Sequence, residues 1–99
     1  MTEEVLFSPP ARKYFKKLKD KVLLQLFFDK IEQIADNPYE VGEPKTGDLA
    51  GIYGLDVKYR GGNYEIAYAM RENADGKLVI IIMVGTREQF YEKLKVYLK

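Results

Sequence analysis

The sequence has 99 residues, enough for one hydrophobic core, and its 46% hydrophobic and 31% charged residues are ordinary values for a globular protein. It contains no cysteine and no histidine, which excludes disulfides, the usual Cys/His zinc sites and any mechanism whose general base is imidazole. The 16 Lys and Arg residues against 15 Asp and Glu give a net charge of +1, so nucleic-acid binding must rest on local clusters of cations.

The N-terminal part predicts a short strand, at residues 4–7, followed by two helices. Ser8 before two prolines is typical of a helix start, because serine caps the first turn and proline is tolerated there. Apolar residues then recur at helical spacing, and the other positions of this helix are strongly basic. Asp20 is the predicted N-cap of a second helix that runs to about Ala35 and ends before Pro38. Its apolar residues cover more than half of the circumference, which predicts burial on two sides.

After a polar stretch that we interpret as a loop, the apolar period changes to two from Ile52 onward. Turn residues at 61–63 and 73–76 divide this region into three strands, and residues 78–84 are apolar on both faces, as expected for a central strand. Apolar residues at helical spacing follow Gly85-Thr86 and predict a closing helix. We therefore predict an α+β fold over residues 1–99 as a single domain: two N-terminal helices packed on a small antiparallel sheet, a C-terminal helix, and the first strand at an edge.

The N-terminal seven residues include two acids and only a short apolar run, which is not the pattern of a signal peptide. No window approaches the roughly 20 apolar residues that a membrane-spanning helix needs. We expect a cytoplasmic protein that binds no membrane, no metal and no cofactor.

The sequence pattern places several cations where they can meet. Lys58 and Arg60 are two residues apart on the charged face of a predicted strand, Arg87 follows the end of another, and Tyr91 lies one helical turn later. Arginine binds phosphate oxygens in pairs and lysine acts as a compact charge. RNA cleavage without metal needs a base, an acid and cations on the phosphate, and without histidine the proton transfers fall to Lys, Tyr, Glu or Asp. The alternative is a solvated sheet surface, which is the commoner origin of such a pattern.

Three segments of the C-terminal half resemble toxins of bacterial type II toxin–antitoxin modules, the RelE/ParE superfamily. They are Gly51 to Arg60 (GIYGLDVKYR), Gly62 to Tyr68 (GNYEIAY) and Val84 to Tyr91 (VGTREQFY). The N-terminal FKKL before a second helix that ends in Asn-Pro fits as well. The resemblance implies a fold similar to microbial ribonucleases and, for the RelE branch, ribosome-dependent mRNA cleavage through the 2′-hydroxyl, which inhibits translation.

By this resemblance, Lys58 corresponds to a catalytic lysine and Arg60 to a strand arginine. Arg87 corresponds to the arginine after the last strand. Tyr91 corresponds to the C-terminal tyrosine, although it follows the arginine at a shorter spacing. Two anions depart from the pattern: Asp56 replaces a second lysine, and Glu65 replaces an arginine. Like charges near phosphate cost on the order of a kcal/mol or more each at contact distance. Either Glu65 or Asp56 serves as the general base, or the site is weak, or the target differs.

The leading hypothesis is an mRNA endonuclease in which Lys58, Arg60 and Arg87 hold the phosphate while Tyr91 or Glu65 assists proton transfer. Its partners would be the ribosome, mRNA and a cognate antitoxin that covers the surface around the first or last helix. One alternative is a ParE-like toxin that binds DNA gyrase. Another is a weakened toxin that acts mainly through antitoxin binding and autoregulation.

Overall fold

The computed structural model describes residues 4–74 and 76–99, with only the backbone of Asn73, and has an α+β architecture as the sequence predicts. A five-stranded sheet carries helices on both of its faces. The elements are β1 (Glu4–Phe7), α1 (Pro9–Lys17), α2 (Lys21–Asp36), α3 (Pro38–Val41), β2 (Glu43–Pro44), a 3₁₀ turn (Gly47–Leu49), β3 (Tyr53–Tyr59), β4 (Gly62–Asn73), β5 (Gly76–Thr86) and α4 (Phe90–Leu98).

The two N-terminal helices begin at the caps that the sequence predicts. The Ser8 hydroxyl accepts a hydrogen bond from the Ala11 amide at 3.3 Å and donates to the Ile82 carbonyl, which fixes α1 against β5. The Asp20 carboxylate accepts bonds from two amides of the first turn of α2 and from the Tyr59 hydroxyl. Each cap therefore also joins its helix to the sheet.

The strand order in the sheet is β1-β5-β4-β3-β2. The pairs β2–β3, β3–β4 and β4–β5 are antiparallel, whereas β1 pairs with β5 in parallel at the sheet edge. The edge position of β1 confirms the prediction, but a purely antiparallel sheet is wrong for this strand. Three α-helices and three strands separate β1 from β5 in the chain, so no tight turn forces them to be antiparallel.

Each face of the sheet buries its own apolar cluster. Helices α1 and α2 pack on one face, over a cluster that includes Phe27, Ile34, Ile66, Tyr68 and Ile81. The Tyr68 hydroxyl is buried there and donates to the Pro38 carbonyl at 2.7 Å while accepting from the Gly42 amide at 2.8 Å. On the other face, α4 and the 3₁₀ turn pack over a smaller cluster that includes Leu49, Ile82, Phe90 and Leu94.

The predicted burial of α2 on two sides is wrong. Helix α2 is buried mainly on one side: Val22 is 62% exposed, and Phe28 is still 40% exposed although its ring packs against Phe7 and Phe15. In α4, Tyr97 and Leu98 are each 43% exposed, so the last turn extends past the sheet it packs on. The predicted loop after Asn37 contains α3, β2 and the 3₁₀ turn. Among the described residues, none of the helices is long and apolar enough to span a bilayer.

Candidate functional site

A cleft of about 190 Å³ opens on the face of the sheet that carries α4. Its floor comes from facing positions of β3 and β4, and its sides come from the α3–β2 segment and the loop between β5 and α4. The lining residues are Val41, Glu43, Lys45, Gly54, Leu55, Asp56, Glu65 and Arg87. Among the described residues, no three His, Cys, Asp or Glu side chains are placed to hold a metal ion.

Glu65 lies at the bottom of this cleft and is only 2% exposed. The alternation of β4 turns it away from the main core, and the strand register places Asp56 of β3 directly opposite it. The Tyr91 hydroxyl donates a hydrogen bond to Oε2 of Glu65, whereas Oε1 is buried without a partner among the described residues. A buried carboxylate oxygen in this state is unfavourable, so the environment favours the protonated form.

The proton equilibria of the two facing carboxyl groups are coupled. Burial, followed by the hydrogen bond with Asp56, raises the pKa of Glu65 to about 7, although the Tyr91 hydroxyl opposes this. The same hydrogen bond from Glu65, with the charges of Arg87, Lys45 and Lys58, lowers the pKa of Asp56. The pair therefore gains and loses one proton near neutral pH, which suits a group that accepts and donates protons at that pH.

Arg87 stands at the rim of the cleft, where its guanidinium is 3.4 Å from the Asp56 carboxylate. The side chains of Arg87 and Asp56 are 56% and 50% exposed, so water and ligands reach both. The Arg87 amide donates to the Asn63 carbonyl at 2.9 Å, which fixes the backbone before α4. An exposed ion pair of this kind is weak, and an anionic ligand can therefore compete with Asp56 for Arg87.

Tyr91 and Lys45 close the other side of the cleft. The Lys45 ammonium lies 4.9 Å from the centroid of the Tyr91 ring, a cation–π contact. Burial, then the hydrogen bond to Glu65, raises the pKa of Tyr91, so its hydroxyl keeps its proton. Both side chains depend on Gly54, because a Cβ at this position would overlap the Tyr91 hydroxyl and lie 2.7 Å from Cε of Lys45.

Of the five residues singled out from the sequence, the structure brings together Glu65, Arg87 and Tyr91 and places Lys58 nearby. Lys58 is exposed on the same face of β3 as Asp56, one strand pair further along, where its charge acts on Asp56. It does not line the cleft itself. Of the three cations that the sequence pattern was expected to bring together, Arg87 alone lines the cleft.

The predicted strand position of Arg60 is wrong. Arg60 and Gly61 are the central residues of a two-residue turn between β3 and β4, with φ values of 49° and 77°. Positive φ at both positions is the backbone that joins twisted antiparallel strands most tightly. The turn directs the Arg60 guanidinium over the ring of Tyr59, 5.3 Å from its centroid, where its charge acts on Asp20. Arg60 thus lies toward the start of α2 and away from the cleft.

Sequence reasoning missed Lys45 and the role of Gly54. Lys45 follows the two-residue strand β2 in a segment that we interpreted as a loop, and its position is set by the bond from its amide to the Ile52 carbonyl at 2.9 Å. The available signal was a glycine inside a strand pattern, which often marks the close approach of another group. Gly54 is that glycine, and the groups that approach it are Lys45 and Tyr91.

A sequence profile of the family described as "ParE-like toxin of type II bacterial toxin-antitoxin system" matches residues 5–95. The chain belongs to this family of ParE-like toxins. Comparison with curated proteins finds no significant match. As a ParE-like toxin, it is the toxin component of a type II toxin–antitoxin system, which the resemblance of its sequence predicted.

Solved structures share the fold of this ParE-like toxin. A chain of the toxin–antitoxin complex RelBE2 from Mycobacterium tuberculosis is 26% identical with a TM-score of 0.64, over 88% of this toxin and 100% of that chain. A mutant of the E. coli toxin RelE in the free state is 21% identical with a TM-score of 0.68, over 98% and 96%. The YoeB/ParE toxin from Agrobacterium tumefaciens is 15% identical with a TM-score of 0.68, over 85% and 98%.

Proposed function

We propose that this toxin is a ribosome-dependent mRNA endonuclease whose active site is the cleft over Glu65. The observation that carries the proposal is a buried carboxyl group with a pKa near 7 in a cleft that also holds two cations. Burial of such a group costs stability, and carboxyl groups with perturbed pKa values concentrate at functional sites.

The cations provide binding and stabilisation for phosphate. Arg87 presents an exposed guanidinium at the rim, and Lys45 contributes a second positive charge from the opposite side. Lys58 extends the positive edge along the same face of β3. Cations fixed in this way stabilise the additional negative charge that develops on a phosphate under attack. Arg60 has no part in this arrangement, because its guanidinium lies over Tyr59.

The Asp56–Glu65 pair, with Tyr91, forms a path for the proton. The 2′-hydroxyl of the message loses its proton to Asp56, the exposed carboxylate, as its oxygen bonds to phosphorus. The Tyr91 hydroxyl, which donates to Glu65 in the free protein, turns and gives its proton to the departing 5′-oxygen as the phosphorus–oxygen bond breaks. Tyr91 takes the proton of Glu65 in exchange, and Glu65 takes up the proton from Asp56. The products are a 2′,3′-cyclic phosphate and a 5′-hydroxyl, and the site is returned to its starting state.

The test is mRNA cleavage in a reconstituted translation reaction, with and without ribosomes, read by primer extension on one defined message. The proposal predicts cuts that require ribosomes and that disappear in Arg87→Ala. Cleavage that persists in that variant removes Arg87 from the mechanism. A folded wild-type protein that makes no cuts contradicts the proposed activity.

The second candidate is inhibition of DNA gyrase by binding. Two observations favour it: the family of the chain is ParE-like, and the cleft cation Arg87 is already paired with Asp56. A gyrase supercoiling assay distinguishes the two functions, because a binder inhibits supercoiling and leaves mRNA intact. Single loss of Arg87 or Lys58 is expected to affect a binder less than a nuclease.

We also propose a cytoplasmic location and a cognate antitoxin as binding partner. RelBE2 and E. coli RelBE are toxin–antitoxin complexes, and a groove of about 420 Å³ between α1, β5 and α4 offers an apolar floor with a lysine rim. The rim lysines are Lys13, Lys17 and Lys93. An amphipathic antitoxin segment with acidic residues fits this surface. Lys13→Glu with Lys17→Glu is expected to weaken antitoxin capture, and unchanged capture excludes the groove.

A further inference from the structure

The cleft carries two carboxyl groups in contact and an arginine that is shared between one of them and solvent. Asp56 and Glu65 are directly opposed in the β3–β4 register, and Arg87 lies 3.4 Å from Asp56. Oε1 of Glu65 is buried and has no hydrogen-bond partner among the described residues.

Arg87 and a bound proton each relieve the electrostatic repulsion between Asp56 and Glu65. Two adjacent carboxylates repel each other, and the repulsion is relieved either by a nearby cation or by a proton held between them. The other charged or titratable groups at the cleft are Glu43 and Lys45 beside β2, Lys58 on β3 and Tyr91 on α4. The charge of Arg87 acts on Asp56 more strongly than the charges of Lys45 and Lys58 do, so the removal of Arg87 leaves the pair short of positive charge.

We propose that the cleft binds a phosphate group together with one proton: phosphate draws Arg87 away from Asp56 and takes its place beside Lys45, and the Asp56–Glu65 pair takes up a proton in exchange. The choice of an RNA phosphodiester as the natural ligand rests on the proposed function, whereas the coupling rests on the cleft alone. Phosphate binding thereby loads the pair with the proton that the relay delivers to the leaving oxygen. The proton is bound to the pair before cleavage begins.

Sulfate is a suitable probe, because it resembles the charge and shape of phosphate and keeps its charge between pH 6 and pH 8. NMR measures the binding of sulfate to the isolated protein at each pH. The chemical shift of the Glu65 carboxyl carbon, followed against pH with and without sulfate, gives the titration midpoint of Glu65. The coupling predicts that sulfate binds about fivefold more tightly at pH 6 than at pH 8, because the pair binds more of the linked proton at pH 6 when sulfate is present. It also predicts that saturating sulfate raises the Glu65 midpoint by about one pH unit.

Two variants distinguish proton-coupled binding of sulfate from a general repulsion of anions by the carboxylates of the cleft. Glu65→Gln cannot take up the proton and is expected to bind sulfate equally at both pH values. Glu43→Gln removes another carboxylate of the same cleft and is expected to keep the pH dependence of the wild type. The proposal is overturned if the wild type binds sulfate equally at both pH values or does not bind it at either. It is also overturned if saturating sulfate leaves the titration midpoint of Glu65 unchanged.

The outcome is independent of the nuclease assay, because no ribosome or RNA is present. Coupled sulfate binding in a protein that does not cut mRNA shows that the cleft serves a different phosphate ligand. Ribosome-dependent cleavage without coupled sulfate binding refutes the coupling and leaves the proposed activity standing.

Discussion

Replacing Glu65 with glutamine should stabilise the toxin at pH 8 much more than at pH 5. The pKa of Glu65 is about 7 in the folded protein against an ordinary 4.5, so the folded state binds this proton more tightly than the unfolded chain does. The free energy of unfolding therefore falls as pH rises from about 4.5 to 7 and is constant above that range. Glutamine has the same shape and still accepts the Tyr91 hydrogen bond, but it has no such pH dependence.

The expected size follows from the difference between the two pKa values. A gap of about 2.5 units corresponds to about 3 kcal/mol of folding free energy at pH 8. This is an upper value, because the same hydrogen bond lowers the pKa of Asp56 and stabilises the folded state in part. Glu65→Gln should recover up to this amount at pH 8, a large gain for a single substitution.

Urea unfolding of the wild type and the variant at pH 5 and pH 8 measures the effect directly. The matched control is Glu88→Gln, which neutralises an exposed carboxylate in the loop before α4 and should change stability by less than about 0.5 kcal/mol at both pH values. If Glu65→Gln is less stable than the wild type at both pH values, Glu65 is a structural anion and the reasoning fails.

Three further substitutions test the cleft and its support. Gly54→Ala should displace Tyr91 and Lys45 from the cleft and reduce cleavage while the protein stays folded; a wild-type rate would show that the close approach is dispensable. Arg87→Ala should abolish growth arrest with little change in thermal stability, because the side chain is exposed and its ion pair is weak; continued arrest contradicts its role. Tyr68→Phe removes two buried hydrogen bonds and should lower the free energy of unfolding by about 1–3 kcal/mol, measured in urea, without direct effect on the cleft.

The fold was predictable to the extent that local patterns determine it. The caps at Ser8 and Asp20 and the period-two pattern from Ile52 define the helices and strands, and the structure confirms them. The parallel pairing of β1 with β5 was not predicted, because it joins residues far apart in the chain and leaves no local signature. Exposure of Val22 and Phe28 was missed for the same reason, since it depends on what packs against α2.

The site was predictable in its chemistry and only partly in its geometry. Strand alternation and the family resemblance singled out Glu65, Arg87 and Tyr91, which the structure brings together. Arg60 was misplaced because the strand pattern runs one residue into a turn whose residues have positive φ. Lys45 was missed because a two-residue strand carries no periodicity from which its direction can be read.

The central claim is that Glu65 transfers a proton during cleavage. It is tested most directly by single-turnover cleavage of a ribosome-bound message with the wild type, Glu65→Gln and the Glu88→Gln control. The account predicts a loss of about a hundredfold or more for Glu65→Gln and a wild-type rate for the control. Cleavage by Glu65→Gln at or above the wild-type rate would contradict it and would mean that Glu65 only repels the phosphate.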